Sequence, residues 1–329
     1  MPYELRPHDE DLATALRRVA GEQAHDAIAA LRAALAHPVG DVDLDGEDVW
    51  DEGVHEARKS CKKIRAVARL CRDALGDAYR DVNAEFRDAA ATLSDVRDGW
   101  TLVETTDRLT GLDDDAGSHD LLDAGPLRRL RERLCDRYLT LRQQADEEGR
   151  LQVALEALEA AASRIEAWPL DDDLAPAALQ PSIERVYGRG RRWWEALADT
   201  VGEDPHATTH EWHQWRKRAK YLWYHVRLLT PVWPAVMEGV ADDLDGLCDD
   251  LGEDHDLGVL VGLLRTGELV DPGATEQIVG AAAVQRHALR RDAADVAPRV
   301  YAEEPVAYAA RVVAYLESPV VGGDGTDAG

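Results

Sequence analysis

Apolar residues recur every three or four positions along almost the whole chain, which is the spacing of one face of an α-helix. Runs that alternate apolar β-branched residues with polar ones are absent, and the chain has a single phenylalanine, Phe86. Clusters of glycine, proline and aspartate interrupt the helical pattern at intervals. The sequence therefore predicts an all-α protein built from long antiparallel helices.

The interruptions predict eight long helices and a shorter ninth, at roughly 8–37, 48–75, 78–110, 119–167, 176–200, 208–230, 234–266, 272–296 and 303–317. Loops are expected at 41–46, 111–117 and 171–176. The segment Thr208-x-x-Glu211 has the pattern of a capping box, in which both side chains satisfy backbone amides at the start of a helix.

The loop after Trp168 and Pro169 separates the eight main helices four and four. We therefore expect two units, 1–168 and 169–318, each able to close as a four-helix bundle. The end of the chain, 319–329, is rich in glycine and aspartate and is expected to be disordered.

The two halves repeat one another at a constant offset of 158 residues without a gap, as from His55 to His213. The matching pairs are His55/His213, Arg58/Arg216, Lys59/Lys217, Lys62/Lys220, Arg69/Arg227, Leu93/Leu251, Asp98/Asp256, Arg128/Arg286 and Arg133/Arg291. One shift that matches so many chemically specific positions indicates a duplicated four-helix unit.

Five matched positions of each helix lie on one face, namely His55, Arg58, Lys59, Lys62 and Arg69 in the first and His213, Arg216, Lys217, Lys220 and Arg227 in the second. At 1.5 Å per residue, each face forms a basic stripe about 21 Å long. The opposite faces are apolar, with Cys61 and Ile64 in the first helix and Trp215 and Leu222 in the second. We expect these apolar faces to pack inside the bundles.

The chain as a whole is strongly acidic, because 64 acidic residues against 38 basic ones give a formal charge of −26. Such a balance argues against a polyanionic partner. It is typical of proteins from salt-in halophiles, although a GC-rich genome could also explain the preference for arginine over lysine. All five lysines nevertheless lie in 59–63 and 217–220, where few acidic residues relieve the repulsion. This favours a ligand-binding surface over an ordinary solvated helix face.

Arginine and lysine at one-turn intervals suit the successive phosphate groups of a linear polyanion. A histidine on the same line can donate to an anion in either protonation state, so His55 and His213 are interpreted as ligand contacts rather than bases. Recognition of bases would require interleaved aromatic residues, and Tyr221 and Tyr224 alone lie on or beside a stripe. The pattern favours a polyanion without bases, with RNA or DNA as the alternative.

The residues expected to bind this polyanion are His55, Arg58, Lys59, Lys62, Lys63, Arg65, Arg69, His213, Arg216, Lys217, Lys220, Tyr221 and Arg227. Secondary candidates are Arg97, Arg128 and Arg286, together with the other arginines of 128–137, 185–192 and 286–291.

The motif that begins Val54-His55-Glu56-Ala57-Arg58-Lys59 and continues through Lys62, together with Leu93-Ser94-Asp95-Val96-Arg97-Asp98, resembles the first half of a CHAD domain, the conserved histidine α-helical domain. His213-x-x-Arg216-Lys217-x-x-Lys220 with Leu251-Gly252-x-x-x-Asp256 resembles its second half. The resemblance covers nearly the whole chain. It implies two four-helix bundles related by a pseudo-twofold axis, whose basic residues and histidines bind inorganic polyphosphate. Ser94 stands where the family usually has glycine, and His255 where an arginine often precedes the aspartate.

The same sequence contains residues that two other functions would use. Metal-assisted hydrolysis of phosphoanhydrides would require clustered carboxylates, which 249–256 could supply, but no nucleophile, Walker loop or acid–base pair accompanies them. His206, His210 and His213 have helical spacing for a metal, although His206 precedes the expected helix start. We expect no enzyme activity, no cofactor and no bound metal.

The four cysteines, Cys61, Cys71, Cys135 and Cys248, lack metal-binding spacing and fit a reducing compartment. No signal segment opens the chain, and no run approaches the ~18 apolar residues that span a bilayer. The expectation is a cytoplasmic protein without a membrane partner, associated with polyphosphate granules.

Overall fold

The computed structural model describes residues 2–6, 9, 11–37, 42, 48–115 and 124–318. This part of the chain is helical and contains no β-strand. Its α-helices are α1 (Leu12–Leu35), α2 (Val49–Leu70), α3 (Arg72–Leu75), α4 (Ala78–Ala91), α5 (Ser94–Asp115), α6 (Ala124–Glu147), α7 (Arg150–Ala162), α8 (Gln180–Leu197), α9 (Thr209–Leu229), α10 (Pro234–Leu264), α11 (Pro272–Val300) and α12 (Pro305–Glu317). The all-α prediction is confirmed.

Some expected features lie outside the described residues, namely the tail at 319–329 and, apart from Val42, the loop at 41–46. Where the helices are described, none combines the length and the apolar character needed to cross a membrane.

Aspartates begin three of the helices by accepting a hydrogen bond from a free backbone amide of the first turn. Asp11 accepts from the Thr14 amide at 2.7 Å, Asp48 from the Trp50 amide at 2.8 Å, and Asp271 from the Ala274 amide at 3.0 Å. These caps explain why α1, α2 and α11 start where the sequence changes from acidic loop to apolar periodicity.

The helix predicted at 48–75 was wrong in extent, because it is divided into α2 and α3 at Cys71. Two further predictions, for 78–110 and 119–167, were also wrong in extent, because each of these helices is divided. The first breaks between α4 and α5, where the Leu93 amide donates to the Ala90 carbonyl in a tighter turn. The second breaks at Gly149, whose φ of 62° is in the left-handed region that glycine adopts without strain. The expected loop at 111–117 is also incorrect, because α5 continues to Asp115.

The predicted capping box is absent. Thr208 occupies the position before α9, but its hydroxyl makes no capping hydrogen bond to the helix. It accepts instead from Nη1 of Arg290 on α11, at 2.7 Å. A tertiary contact has replaced the local one.

The first half contains a closed ring of four helices, in which α1 packs on α2, α2 on α4, α4 on α7 and α7 on α1. The pair α5 and α6 extends from this ring. In the second half α8 packs on α9 and α12, α9 on α10, and α10 on α11. Buried residues form one continuous core cluster that includes both halves. The boundary near Trp168 and the equivalence of the halves stay predictions.

Contacts between the halves position the basic helices. α2 packs on α9, and α5 packs on α10. At the α2–α9 contact, Nε2 of the buried His225 lies 3.1 Å from the Ala66 carbonyl oxygen. The N-terminal segment joins the same region, because the Leu5 amide donates to Leu228 at 3.1 Å and the Tyr3 hydroxyl donates to the Lys63 carbonyl at 3.3 Å. The basic faces of α2 and α9 therefore open into one shared space.

Candidate functional site

A groove of about 550 Å³ lies between α2, α5, α9 and α10. Seven basic side chains line it: Arg58, Lys59, Lys62, Arg97, Arg108, Arg216 and Lys220. The carboxylates that line it are Asp98, Glu104 and Asp256, and His55 and His255 complete its polar wall. A chain with a formal charge of −26 thus has a locally positive groove, built from both halves.

Three of these cations have no ion pair within the described part of the chain, namely Lys62, Arg216 and Lys220. Lys62 is still accessible to solvent. Shielding from water by the groove walls, followed by the positive charges of Arg58, Arg216 and Lys220, lowers its pKa to about 8. Like charges held together without counter-ions are unfavourable in the free protein, and an anion would relieve that repulsion.

Arg58 is held in place by the helix break behind it. Its Nη1 donates to the Ala90 carbonyl at 2.8 Å and also to the Ser94 hydroxyl, and its Nη2 lies 3.7 Å from the Asp98 carboxylate. Ala90 lies in the last turn of α4, where the break ends the regular helical hydrogen bonding, and its carbonyl accepts from the Leu93 amide as well as from Arg58. The guanidinium therefore bridges α4 and α5 while its side chain lines the groove.

The repeat position of Ser94 is Gly252, and the difference between them matters to the arginine beside each. A Cβ atom at Gly252 would lie 3.8 Å from Nε of Arg216, so that arginine passes close to the glycine. Ser94 instead supplies a hydroxyl to Arg58. The departure from the usual family residue thus gives Arg58 an additional acceptor.

Other groove cations are partly neutralised by nearby carboxylates. Lys59 lies 2.6 Å from Glu56 on the same helix. The stripe predicted from the sequence did not include this ion pair. Arg97 lies 2.9 Å from Glu104 along α5. Because Lys59 and Arg97 are paired in this way, they contribute less uncompensated positive charge to the groove than Lys62 and Lys220 do.

The histidines of the groove are neutral near pH 7. Burial and then the charge of Arg97 lower the pKa of His55 to about 4. The His213 and His255 rings stack with centroids 3.9 Å apart, which joins His213 to the groove through His255. Burial and neighbouring cations, chiefly Lys217 and Arg216, lower the pKa of His213 to about 4, and burial and Arg216 lower that of His255 to about 3.

The tautomer of the stacked histidines follows from their surroundings. In the described part of the chain, Nδ1 of His213 and Nδ1 of His255 are buried and have no hydrogen-bond partner. An unprotonated nitrogen tolerates that environment better than an N–H group does. The neutral rings are therefore assigned the proton on Nε2, so that each ring has its N–H donor at that atom.

The aromatic residues of the groove form its floor rather than an open stacking surface. Trp223 and Tyr224 are 7% and 3% exposed. The Lys220 ammonium lies 4.3 Å from the centre of the Trp223 ring, and the Arg227 guanidinium carbon lies 5.1 Å from it. The ring therefore orients cations by cation–π contact and is not free to stack on a base.

The structure brings together seven of the residues predicted from sequence: His55, Arg58, Lys59, Lys62, Arg97, Arg216 and Lys220. His213 and the half-buried Lys217 adjoin the groove beyond His255. The other predicted residues, Lys63, Arg65, Arg69, Tyr221, Arg227, Arg128 and Arg286, do not line it.

Lys63, Arg65 and Tyr221 are engaged elsewhere, which corrects their assignment to the ligand surface. The side chain of Lys63 is buried, with its ammonium 5.9 Å from the centre of the Tyr3 ring. Nε of Arg65 donates to Asn83 on α4 at 3.1 Å. The Arg69 guanidinium covers the Tyr221 ring at 3.6 Å, so these two residues stabilise the contact of α2 with α9.

The matched pair Arg128 and Arg286 occupies two different environments. Arg128 is exposed on α6, outside the groove. Arg286 is fully buried, with Nε 2.9 Å from Asp254 and Nη2 donating to Thr209 at 3.1 Å. The prediction that Arg286 contacts the ligand was wrong, because it belongs to a buried ionic network that also includes Arg290.

Sequence reasoning missed Arg108 and did not assign a ligand role to His255. The signal for His255 was present, since it is the repeat position of Arg97 and lies directly before Asp256. Arg108 gave no signal, and it reaches the groove because α5 crosses α10, where it lies 3.9 Å from Asp256.

The metal-binding alternatives are not supported by the side-chain arrangement. Across the described ranges, no three His, Cys, Asp or Glu residues are grouped to hold a metal ion. Asp254 is buried against two arginines rather than grouped with the other carboxylates of 249–256. Nδ1 of His206 accepts from Arg286 at 3.1 Å, and His213 stacks on His255.

Comparison with known proteins agrees with this architecture. A search of curated proteins gives no match. Among solved structures, the fold is similar to that of PptA from Streptomyces chartreusis, with a TM-score of 0.54 and 17% identity over 89% of this chain and 100% of that one. The sequence profile of the CHAD domain matches residues 26–265. That match covers well over half of the chain, and the protein is therefore a member of the CHAD domain family.

Proposed function

We propose that the protein binds linear inorganic polyphosphate in the groove between α2, α5, α9 and α10. The observation that carries this proposal is the excess of basic over acidic side chains in the groove, seven against three, in a strongly acidic chain. Lys62 from one half and Arg216 and Lys220 from the other supply its unpaired charge. Forked guanidinium donors and compact ammonium groups together suit a chain of phosphates.

The aromatic floor favours a polyanion without bases over RNA or DNA. Binding of single strands by stacking requires accessible aromatic faces. Trp223 and Tyr224 are nearly inaccessible, and Trp223 already contacts Lys220 and Arg227. A nucleic-acid backbone could contact the same cations, so competition between the two ligands is the decisive comparison.

We further propose binding without hydrolysis. Each groove carboxylate lies beside an arginine: Asp98 is 3.7 Å from Arg58, Glu104 is 2.9 Å from Arg97, and Asp256 is 3.9 Å from Arg108. Carboxylates engaged in this way are poorly placed to hold a Mg²⁺ ion against a phosphate. The expected setting is the cytoplasm, in contact with polyphosphate granules.

The test is a calorimetric titration of the full chain with long-chain polyphosphate, at low and at high salt, with single-stranded RNA as competitor. The groove variant is Lys62→Gln/Lys220→Gln, which removes two unpaired cations. Arg128→Gln/Arg129→Gln removes the same charge from exposed positions on α6 and serves as the matched control. Each lost charge-assisted contact should weaken binding by about ten-fold or more.

The proposal is supported if the wild type and the control bind polyphosphate tightly, the groove variant loses this binding, and RNA does not displace the polyphosphate. Equal displacement by RNA would indicate a general phosphate-backbone binder. Equal affinity in the wild type and the groove variant would reject the groove as the site.

A further inference from the structure

A second basic cavity lies on a different part of the molecule, at the seam between α8 and α9. Its volume is about 400 Å³, and it is lined by Arg189, Arg192, Trp193, Ala196 and Arg218. Among the residues that the structure describes, no carboxylate lines it. In a chain with 64 acidic residues, a cavity surrounded by three arginines and no acid is an unexpected local composition.

These three arginines lack the carboxylate partners that most of the other arginines have. No ion pair joins Arg189, Arg192 or Arg218 to a carboxylate anywhere in the described ranges. Nε of Arg218 is buried without a hydrogen-bond partner in the same part of the chain. Partial shielding from water and then the charges of Arg218 and other arginines lower the pKa of the exposed Arg189. Repulsion between these unpaired guanidinium groups is unfavourable, and a bound anion would offset it.

This cavity is separate from the polyphosphate groove. None of its lining residues lines the groove. It also lies outside the duplicated stripe, because the repeat position of Arg218 is Ser60, which is buried in the core. In the first half, α1 and α2 approach each other closely at Gly53, where a Cβ atom would lie 2.7 Å from the Ala30 carbonyl oxygen. The repeat positions of Arg189 and Arg192 are Leu31 and Ala34, which are buried, so the arginines of this cavity have no counterpart at those positions of the first half.

We propose that the α8–α9 cavity is a second anion site, which binds a compact diphosphate group rather than an extended chain. Three forked donors converge on one cavity instead of following a helix, which suits a short, highly charged oxyanion. Trp193 forms an apolar wall, so the diphosphate can be free or part of a nucleotide whose base contacts that ring. The site does not depend on polyphosphate binding in the groove.

The test uses pyrophosphate and ADP as probes, titrated calorimetrically into the full chain carrying Lys62→Gln/Lys220→Gln, so that the groove is impaired. In that background we compare Arg189→Gln/Arg192→Gln with Arg128→Gln/Arg129→Gln. All four arginines are exposed, so both changes should preserve folding, which thermal unfolding verifies. Arg218→Gln provides an independent variant from the other helix.

The second site is supported if pyrophosphate still binds in the groove background and in the control. Its affinity should then fall about ten-fold or more with Arg189→Gln/Arg192→Gln. Tighter binding of ADP than of pyrophosphate identifies a nucleotide as the ligand, and similar binding identifies the free anion. Absence of binding in the groove background, or unchanged binding in both cavity variants, overturns the proposal. The result is independent of long-chain polyphosphate binding by the wild type, so the two proposals fail separately.

Discussion

The His213 ring on α9 stacks on the His255 ring on α10, with centroids 3.9 Å apart and planes 22° from parallel. The corresponding residues of the first half are His55 and Arg97. There the arginine charge contributes to lowering the pKa of the histidine. The charged form of the histidine is thus disfavoured in both halves, by burial and Arg97 at His55 and by burial, Lys217 and Arg216 at His213.

Acid should destabilise the free protein through this stacked pair. The folded-state pKa values, about 4 for His213 and about 3 for His255, lie below the unfolded value of about 6.5. Their contribution to stability is therefore complete above about pH 6.5 and is lost as pH falls towards the folded values. We expect His255→Gln to reduce this loss by up to about 1 kcal/mol for each pH unit, measured by urea unfolding. Identical pH dependence in both proteins would contradict the assignment.

Polyphosphate affinity should decrease in alkaline solution because of Lys62. Its pKa is about 8 in the free protein, and a bound polyanion raises that value. Binding is therefore strongest below about pH 8 and weakens as pH rises towards the pKa of the complex, by up to about ten-fold for each unit. Lys62→Arg keeps its charge and should bind with a flatter pH profile. Calorimetric Kd values across this range provide the measurement, and equal profiles would assign the titration to another group.

The Ser94 hydroxyl should contribute to stability by accepting from Arg58. We expect Ser94→Ala to lower the free energy of unfolding by about 1.5–3 kcal/mol, the usual range for a hydrogen bond to a charged group. Polyphosphate affinity should change little, because the Ala90 carbonyl still holds Arg58. A double-mutant cycle with Arg58→Gln isolates the bond. An equal cost of Ser94→Ala in both backgrounds would show that the bond contributes nothing.

Asp254 should be essential to the fold and dispensable for ligand binding. Its carboxylate lies 2.9 Å from Nε of both Arg286 and Arg290, and both arginines are fully buried. Removing one partner of a buried charge network costs roughly 3–5 kcal/mol, so Asp254→Asn should unfold at much lower urea concentration. Asp245→Asn, at an exposed position of the same helix, is the control. A small effect on unfolding would show that solvent or other groups compensate the two arginines.

The residues that line the groove show which part of the site could be predicted from the sequence. The spacing of His55, Arg58 and Lys62 placed them on one helical face, and the constant offset indicated a second such face at Arg216 and Lys220. All five line the groove. The wall contributed by α5 and α10 carried a much weaker signal, because its basic residues are mixed with carboxylates in sequence.

The sequence by itself determined the helical character of the chain, the apolar face of each basic helix and the positions of the five lysines, because local spacing fixes where a side chain points around its own helix. Tertiary structure decided which of those faces remain open. Arg128 and Arg286 match in sequence, yet one is exposed and the other is buried beside Asp254. Lys62 and Lys63 are adjacent, yet only Lys62 lines the groove. The physical reason is that exposure depends on the neighbouring helices that cover a face, and those neighbours come from distant parts of the chain.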